Sequence, residues 1–248
     1  MTRIDWLPAD WPAPPGVTAG TTLRTRGASR GPCESFNLAA HVGDDAAAVA
    51  ANRALLRSAL ALPAEPLWLG QVHGSVVVEA PCAEPVPRAD AAFARRAGAV
   101  CAVLTADCLP VLFAARDGSR VAAAHAGWRG LAGGILEATI DALGGDPGDL
   151  IAWLGPAISQ RAFEVGGDVR EAFLTADPAA ADCFVPNARG RWQADLYALA
   201  RRRLGACGVS ATYGGGRCTH GEPDAFYSYR RDGQCGRMAS LIYMRVTR

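Results

Sequence analysis

VCAVLTADCLPVLFAARDGSRVAAAHAGWRGLAGG, residues 100–134, sets the pattern for the whole chain. Short apolar runs over Ala99–Leu104, Pro110–Ala114 and Val121–Ala124 read as buried strands, because each is brief, apolar and bounded by turn-forming or polar residues. Asp117-Gly118 between the last two is a hairpin signal. The first run stops at Thr105-Ala106-Asp107-Cys108 and the third at His125, which is followed by Gly127, Trp128, Arg129 and Gly130. A thiol and an imidazole, each delivered at a strand end, suggest a site. Gly130–Leu143 is expected as a helix closed by Gly144-Gly145.

Outward from this stretch, strands and helices continue to alternate. Residues 1–20, rich in proline and holding Trp6 and Trp11, read as an extended N-terminal segment that packs on the domain. Thr21–Asp45 is a long irregular stretch full of turn residues. Ala46–Leu62 carries apolar residues at helical spacing, is capped by Asp44 or Asp45, and is stopped by Pro63. Leu67–Val72 and Ser75–Glu79 read as short strands, the first leading into Gln71-Val72-His73-Gly74. Leu150–Leu154 and Ser240–Tyr243 read as strands, Val165–Leu174 and Asp195–Leu204 as amphipathic helices, and Gly214–Arg217 as a glycine turn. With no internal repeat or long linker, residues 1–248 are expected to form one domain of mixed α and β elements.

Composition narrows the function classes. Half of the 248 residues are apolar and the formal net charge is +1, so no global field favours nucleic acid or a membrane surface. All 25 basic residues are arginine, which excludes Schiff-base chemistry and a phosphate-loop lysine. The eight cysteines form no C-x-x-C pair, and Met1–Pro15 lacks the apolar core of a secretory signal. Free thiols in a reducing cytoplasm are the expectation, and no apolar run is long enough to span a membrane without interruption.

The chain has four histidines, at 41, 73, 125 and 220. His73, Cys108 and His125 each stand at or just beyond a strand-like run, in spacings that match no compact zinc finger. Two nitrogens and one sulfur brought together by folding make an open zinc site with a position left for water or substrate. The same residues also allow a metal-free thiolate–imidazolium nucleophile built from Cys108 and His125, with Asp107 as an orienting group or proton carrier. Packed structural roles for all of them remain the plain alternative. Arg129, near the start of a helix and among glycines, suits an anion such as phosphate. Arg230 and Arg231, flanked by Tyr227 and Tyr229, suit an anion or a stacked base, while His41 and His220 read as ordinary loop residues.

Gln71-Val-His-Gly74, Thr105-Ala-Asp-Cys-Leu-Pro110, His125-Ala-Gly-Trp-Arg-Gly130, Gly155-Pro-Ala-Ile158, Phe163-Glu-Val-Gly166 and Ser228-Tyr-Arg-Arg-Asp-Gly233 occur together and in order. In this the chain resembles the YfiH family, known also as laccase-like polyphenol oxidases, peptidoglycan editing factors and purine nucleoside phosphorylases. The resemblance spans roughly residues 17–245. It implies an α+β fold in α/β/β/α layers and a zinc centre at His73, Cys108 and His125. It also implies phosphorolysis of adenosine, inosine, guanosine and methylthioadenosine, with adenosine deamination as a companion. Arg24, Arg129 and Arg230 are then the expected phosphate or ribose contacts. The chain departs from the family at Arg26-Gly27, where Gly-Gly is usual, and at Cys235, where threonine is common. The alternatives to carry forward are a cysteine–histidine hydrolase or amidase acting on peptidoglycan precursors, a copper phenol oxidase, and a non-enzymatic scaffold. Copper oxidase chemistry with several metal ions is disfavoured by a supply of only four histidines.

Overall fold

The computed structural model describes residues 3–246, so the first two residues of the expected N-terminal segment lie outside it. Its first half runs β1 (Trp6–Pro8), β2 (Val17–Thr22), α1 (Ala46–Ala59), β3 (Val77–Glu79), β4 (Ala91–Ala94), β5 (Val100–Thr105), β6 (Leu109–Ala115) and β7 (Val121–Ala126). It continues with α2 (Trp128–Ala132), α3 (Ile135–Leu143), β8 (Leu150–Leu154), β9 (Glu164–Val165), α4 (Gly167–Leu174), β10 (Phe184–Pro186) and β11 (Trp192–Ala194). The last elements are α5 (Leu196–Ala206), β12 (Ala211–Gly214), α6 (Tyr229–Asp232) and β13 (Met238–Met244). One sheet has the order β1-β2-β13-β5, a second β12-β8-β6-β7-β4-β3, and β10-β11-β9 forms a small third.

The two larger sheets stack because their central strands are apolar on both faces. In β6, Val111, Phe113 and Ala115 point into a core shared with α3, α4 and α5, while Leu112 and Ala114 point toward the other sheet. In β5, Cys101 and Val103 face that same inter-sheet core, and Val100, Ala102 and Leu104 pack outward with Leu56 of α1. The two-residue side-chain period thus supplies one core between the sheets and one under each helical layer. The resulting α/β/β/α single domain is the α+β architecture that the resemblance implied.

The crossing between the sheets positions the site. β5 belongs to the four-stranded sheet and β6 to the six-stranded one, and only Ala106-Asp107-Cys108 joins them. The bend requires φ of +88° at Asp107, a left-handed conformation that costs a non-glycine residue energy. Three hydrogen bonds offset that cost. The Thr219 hydroxyl donates to Asp107 Oδ1 at 2.6 Å, the Arg230 N–H to Oδ2 at 2.7 Å, and the Ile158 N–H to the Asp107 carbonyl at 2.9 Å.

Several expectations need correction. Leu67–Val72 is not a strand: Leu67 makes an isolated bridge to Cys101, and the Gln71 side chain then takes the place of a pairing partner. Its amide donates to the Leu104 carbonyl at 2.9 Å and accepts the Leu104 N–H at 2.7 Å. The helix expected over Gly130–Leu143 is two helices, split at Gly133-Gly134, where Gly134 takes φ of +90°. The N-terminal segment is extended as expected, but Val17–Thr22 is an interior strand of the first sheet. The strands β4, β9, β10, β11 and β12 were not anticipated, and Val165, expected to open a helix, lies in β9 with the helix starting at Gly167. β4 and β12 are short and alanine- or glycine-bearing, and a neighbouring strand rather than local propensity makes them β structure.

Candidate metal centre and its cleft

β6 begins immediately after Cys108, and β7 pairs antiparallel with it so that Pro110 lies opposite His125. Pairing thereby carries the sequence-distant Cys108 and His125 to the same end of one sheet. His73 arrives from the loop before β3. One donor atom from each of His73, Cys108 and His125 lies within 4.8 Å of the others, and His73 Nε2 is 3.8 Å from Cys108 Sγ. The imidazole centroids are 4.8 Å apart and inclined at 71°. His125 is buried, Cys108 half-buried and His73 exposed, so the group opens to solvent on one side.

Asp90, which sequence reasoning missed, holds both histidines. It is fully buried, and its carboxylate accepts His125 Nδ1–H at 2.9 Å together with the backbone N–H groups of Val72, His73 and Gly74 at 3.2, 2.9 and 2.7 Å. Its carbonyl also accepts the His125 N–H at 2.7 Å. These bonds stabilise His73 at φ of +61° and leave Nε2 as the free nitrogen of His125. Burial alone would push the Asp90 carboxyl up, but the hydrogen bonds from His125 and the backbone hold it below the usual carboxylate range. The signal was present in the sequence: a single carboxylate inside Ala89-Asp90-Ala91-Ala92.

The electrostatics favour a thiolate. Burial pushes the Cys108 thiol up, but the charges and hydrogen bonds of His125 and His73 outweigh it and bring it down to about 6. Burial lowers His125 in turn, while the Cys108 thiolate and Asp90 raise it to about 9. A metal takes the thiolate as it stands and displaces the proton of His125. Close packing also depends on Gly127, where a Cβ would lie 2.9 Å from both Cys108 Sγ and His73 Cδ2.

The group forms the floor of a cleft of about 430 Å³. Asp107, Trp128, Arg129, Phe163, Tyr229 and Arg230 also line it. Three arginines of the lining lie on aromatic rings: Arg129 over Trp128 at 4.3 Å, Arg230 over Phe163 at 5.4 Å and Arg237 over Tyr229 at 5.9 Å. Arg24 does not line the cleft. It donates to the Pro223 carbonyl at 3.1 Å and lies 4.6 Å from the Tyr227 ring centroid. Arg231 is tied to the carbonyls of Thr219, His220 and Phe226 and to Asp232. Because α2 is only five residues long, the segment after His125 presents the Arg129 side chain rather than a sustained helix dipole. His41, read as an ordinary loop residue, lines the cleft, as does Arg237, which the sequence reading passed over. Where the family usually has Gly-Gly, Arg26 takes φ of +68° and bonds Asp5 through Nε at 2.8 Å.

Fold and site define an α/β/β/α protein with an open two-histidine, one-cysteine centre beneath a cationic, aromatic cleft. The chain belongs to the multi-copper polyphenol oxidoreductase laccase family, whose model matches residues 18–245. It is 55% identical over 240 residues to a purine nucleoside phosphorylase of Pseudomonas aeruginosa, covering 96% of this chain and 98% of that one. It is 51% identical over 236 residues to the purine nucleoside phosphorylase YfiH of Escherichia coli, covering 94% and 96%. The crystal structure of the Neisseria meningitidis protein NMB0706, of the DUF152 family, superposes with a TM-score of 0.93 at 51% identity, covering 98% of this chain and all of that one. YlmD from Geobacillus stearothermophilus gives a TM-score of 0.90 at 33% identity, covering 98% and 97%.

Proposed function

We propose that this protein is a zinc-dependent purine nucleoside phosphorylase that also deaminates adenosine. The observation that carries the reading is the convergence of His73, Cys108 and His125 at the floor of the cleft. Its relatives' name supports the substrate class. The donor set of two imidazoles and one thiolate suits zinc, and among the described residues this is the one metal-competent cluster of its kind. Several copper ions would need more ligands than the chain offers. When bound there, zinc supplies Lewis acidity and makes water nucleophilic near neutral pH.

In phosphorolysis a phosphate oxygen bonds to the ribose C1′ while the C1′–N9 bond breaks. The bonding pair leaves with the purine, which takes up a proton, giving ribose 1-phosphate and the free base. Trp128, Phe163 and Tyr229 offer apolar faces to the base. Arg129 and Arg230 contact the nucleoside and stabilise the negative charge that develops on the departing purine. Asp107 acts as a positioning residue: both its oxygens are already engaged, one of them fixing the backbone of Arg230. Adenosine, inosine, guanosine and methylthioadenosine are the substrates of this reading, and the reducing cytoplasm fits its eight free cysteines.

Purified protein should carry about one zinc per chain and convert inosine plus phosphate to hypoxanthine and ribose 1-phosphate. Full activity in His73→Ala would sink the zinc mechanism. A second reading is favoured by the Cys108–His125 electrostatics: a metal-free cysteine hydrolase or amidase acting on peptidoglycan precursors. Metal-free protein that hydrolyses amides and loses this activity in Cys108→Ser would select it.

A further inference from the structure

The cleft has a second polar wall that no part of the mechanism above uses. It forms where β13 and β5 end together: Met238 pairs with Thr105, so Arg237 and Thr105 are carried to the same end of the four-stranded sheet. Thr105 is 1% exposed and lines the cleft, yet its hydroxyl has no hydrogen-bond partner. An unpartnered buried hydroxyl is costly unless a ligand or water completes it.

Arg237, which precedes Met238, lines the same cleft and is held in a fixed orientation. Nη1 donates to the carbonyls of Cys235 at 2.7 Å and Gly236 at 3.0 Å, and the backbone N–H donates to Asn37 Oδ1 at 2.9 Å. Among the described residues, Arg237 forms no ion pair, and its Nε and Nη2 make no hydrogen bond. A half-buried guanidinium held by neutral carbonyls keeps its full charge for a ligand. His41 completes the wall. Burial, and then the charges of Arg237 and Arg53, hold its imidazole below the usual range. The one carboxylate in the lining, Asp107, already accepts from Thr219 and Arg230.

We propose that Thr105, Arg237 and His41 form a binding subsite for a tetrahedral oxyanion, inorganic phosphate. The free Nε–H and Nη2–H of Arg237 donate to the phosphate oxygens, the Thr105 hydroxyl, closed off from solvent in this structure, joins them on a turn about its χ1, and the His41 ring supplies a further contact at the rim. This rests on the phosphorylase reading and adds to it: phosphate approaches from the four-stranded sheet, while the nucleoside lies between the metal centre and Arg129 and Arg230.

The test separates phosphate from nucleoside. Thr105→Val removes the hydroxyl at nearly constant volume, and Arg237→Gln removes the charge while keeping a donor for Cys235 or Gly236. Each should raise the KM for phosphate by about tenfold or more while changing the KM for inosine by less than about twofold. Thr105→Ser should restore the phosphate KM. Zinc content and circular dichroism confirm that the variants are folded and loaded. An unchanged phosphate KM in both variants overturns the subsite and leaves the phosphorylase reading standing. Should the wild type phosphorolyse no nucleoside, calorimetric titration with inorganic phosphate decides the matter independently. Binding that weakens about tenfold in Arg237→Gln sustains the subsite, and no binding to the wild type, or equal binding by wild type and variants, overturns it.

Discussion

The wall that carries Cys108 and His125 grows directly out of β6 and β7, whereas the wall that carries His41 and Arg237 is assembled from loops where β13 begins. On the first, strand pairing sets the positions, and the fully buried Asp90 locks His125 and the His73 loop together. On the second, side chains hold backbone: Asn37 accepts the Ala39 and Arg237 N–H groups, and Gln234 donates to the Val42 carbonyl. The difference divides the work. The face anchored by β6, β7 and Asp90 keeps three donor atoms close together, and the loop-borne face meets the ligand. Substitutions on the first face should therefore cost metal, and those on the second should cost substrate affinity with metal retained.

The largest effects are expected from Cys108→Ala and His125→Ala. Each should lower zinc from about one per chain to near zero by elemental analysis, with nucleoside turnover lost in parallel. His125→Ala has a second cost, because it leaves the buried Asp90 carboxylate one donor short. If either variant keeps a full complement of zinc, the contrast between the walls is broken.

Asp90→Asn comes next. It keeps the shape but removes the charge that sets the His125 tautomer and binds the N–H groups of Val72, His73 and Gly74. Zinc affinity measured by chelator competition should fall about 10–100-fold. An equal loss in Asp107→Asn would put the support on the sheet crossing as a whole rather than on Asp90.

The third test uses pH. The Cys108 thiol is lowered to about 6, so in zinc-free protein its thiolate persists above that pH and is lost below it. His125 is raised to about 9, so its imidazolium persists up to that pH and is lost above it. The thiolate–imidazolium pair thus exists between these limits. Burial pushes the thiol of Cys101, within β5, upward instead, because no cation stands beside it. Iodoacetamide should modify Cys108 at a rate rising through about pH 6, and at neutral pH several-fold faster than an ordinary thiol. Added zinc should protect it. Peptide mapping that finds Cys101 labelled first would contradict this.

The contrast also explains what could be read in advance. The hairpin at Asp117-Gly118, the strands β5 to β8 and the three donor residues follow from local patterns, since apolar runs that stop at His or Cys are visible in one dimension. Gln71 acting as a strand partner, Asp90 bonding across the fold, and the meeting of Thr105 with Arg237 depend on pairings 16 to 132 positions apart. Nothing local encodes these. The helix break at Gly133-Gly134 was encoded locally, but the apolar spacing on either side reads equally well as one continuous helix.

The smallest effect expected is the one that separates family position from geometry. Arg24 stands where the resemblance places a substrate contact, yet its guanidinium lies over Tyr227 and donates to the Pro223 carbonyl, away from the cleft. Arg24→Ala should therefore change neither zinc content nor the KM for phosphate by more than about twofold, and should cost only about 0.5–1 kcal/mol of stability through the lost stacking on Tyr227. Thermal melts and steady-state kinetics on the same sample check both. A large rise in KM with unchanged stability would mean that the loop carrying Arg24 closes over the cleft when substrate binds. The ligand-binding face would then include a third element, beyond the two walls that the sheets define.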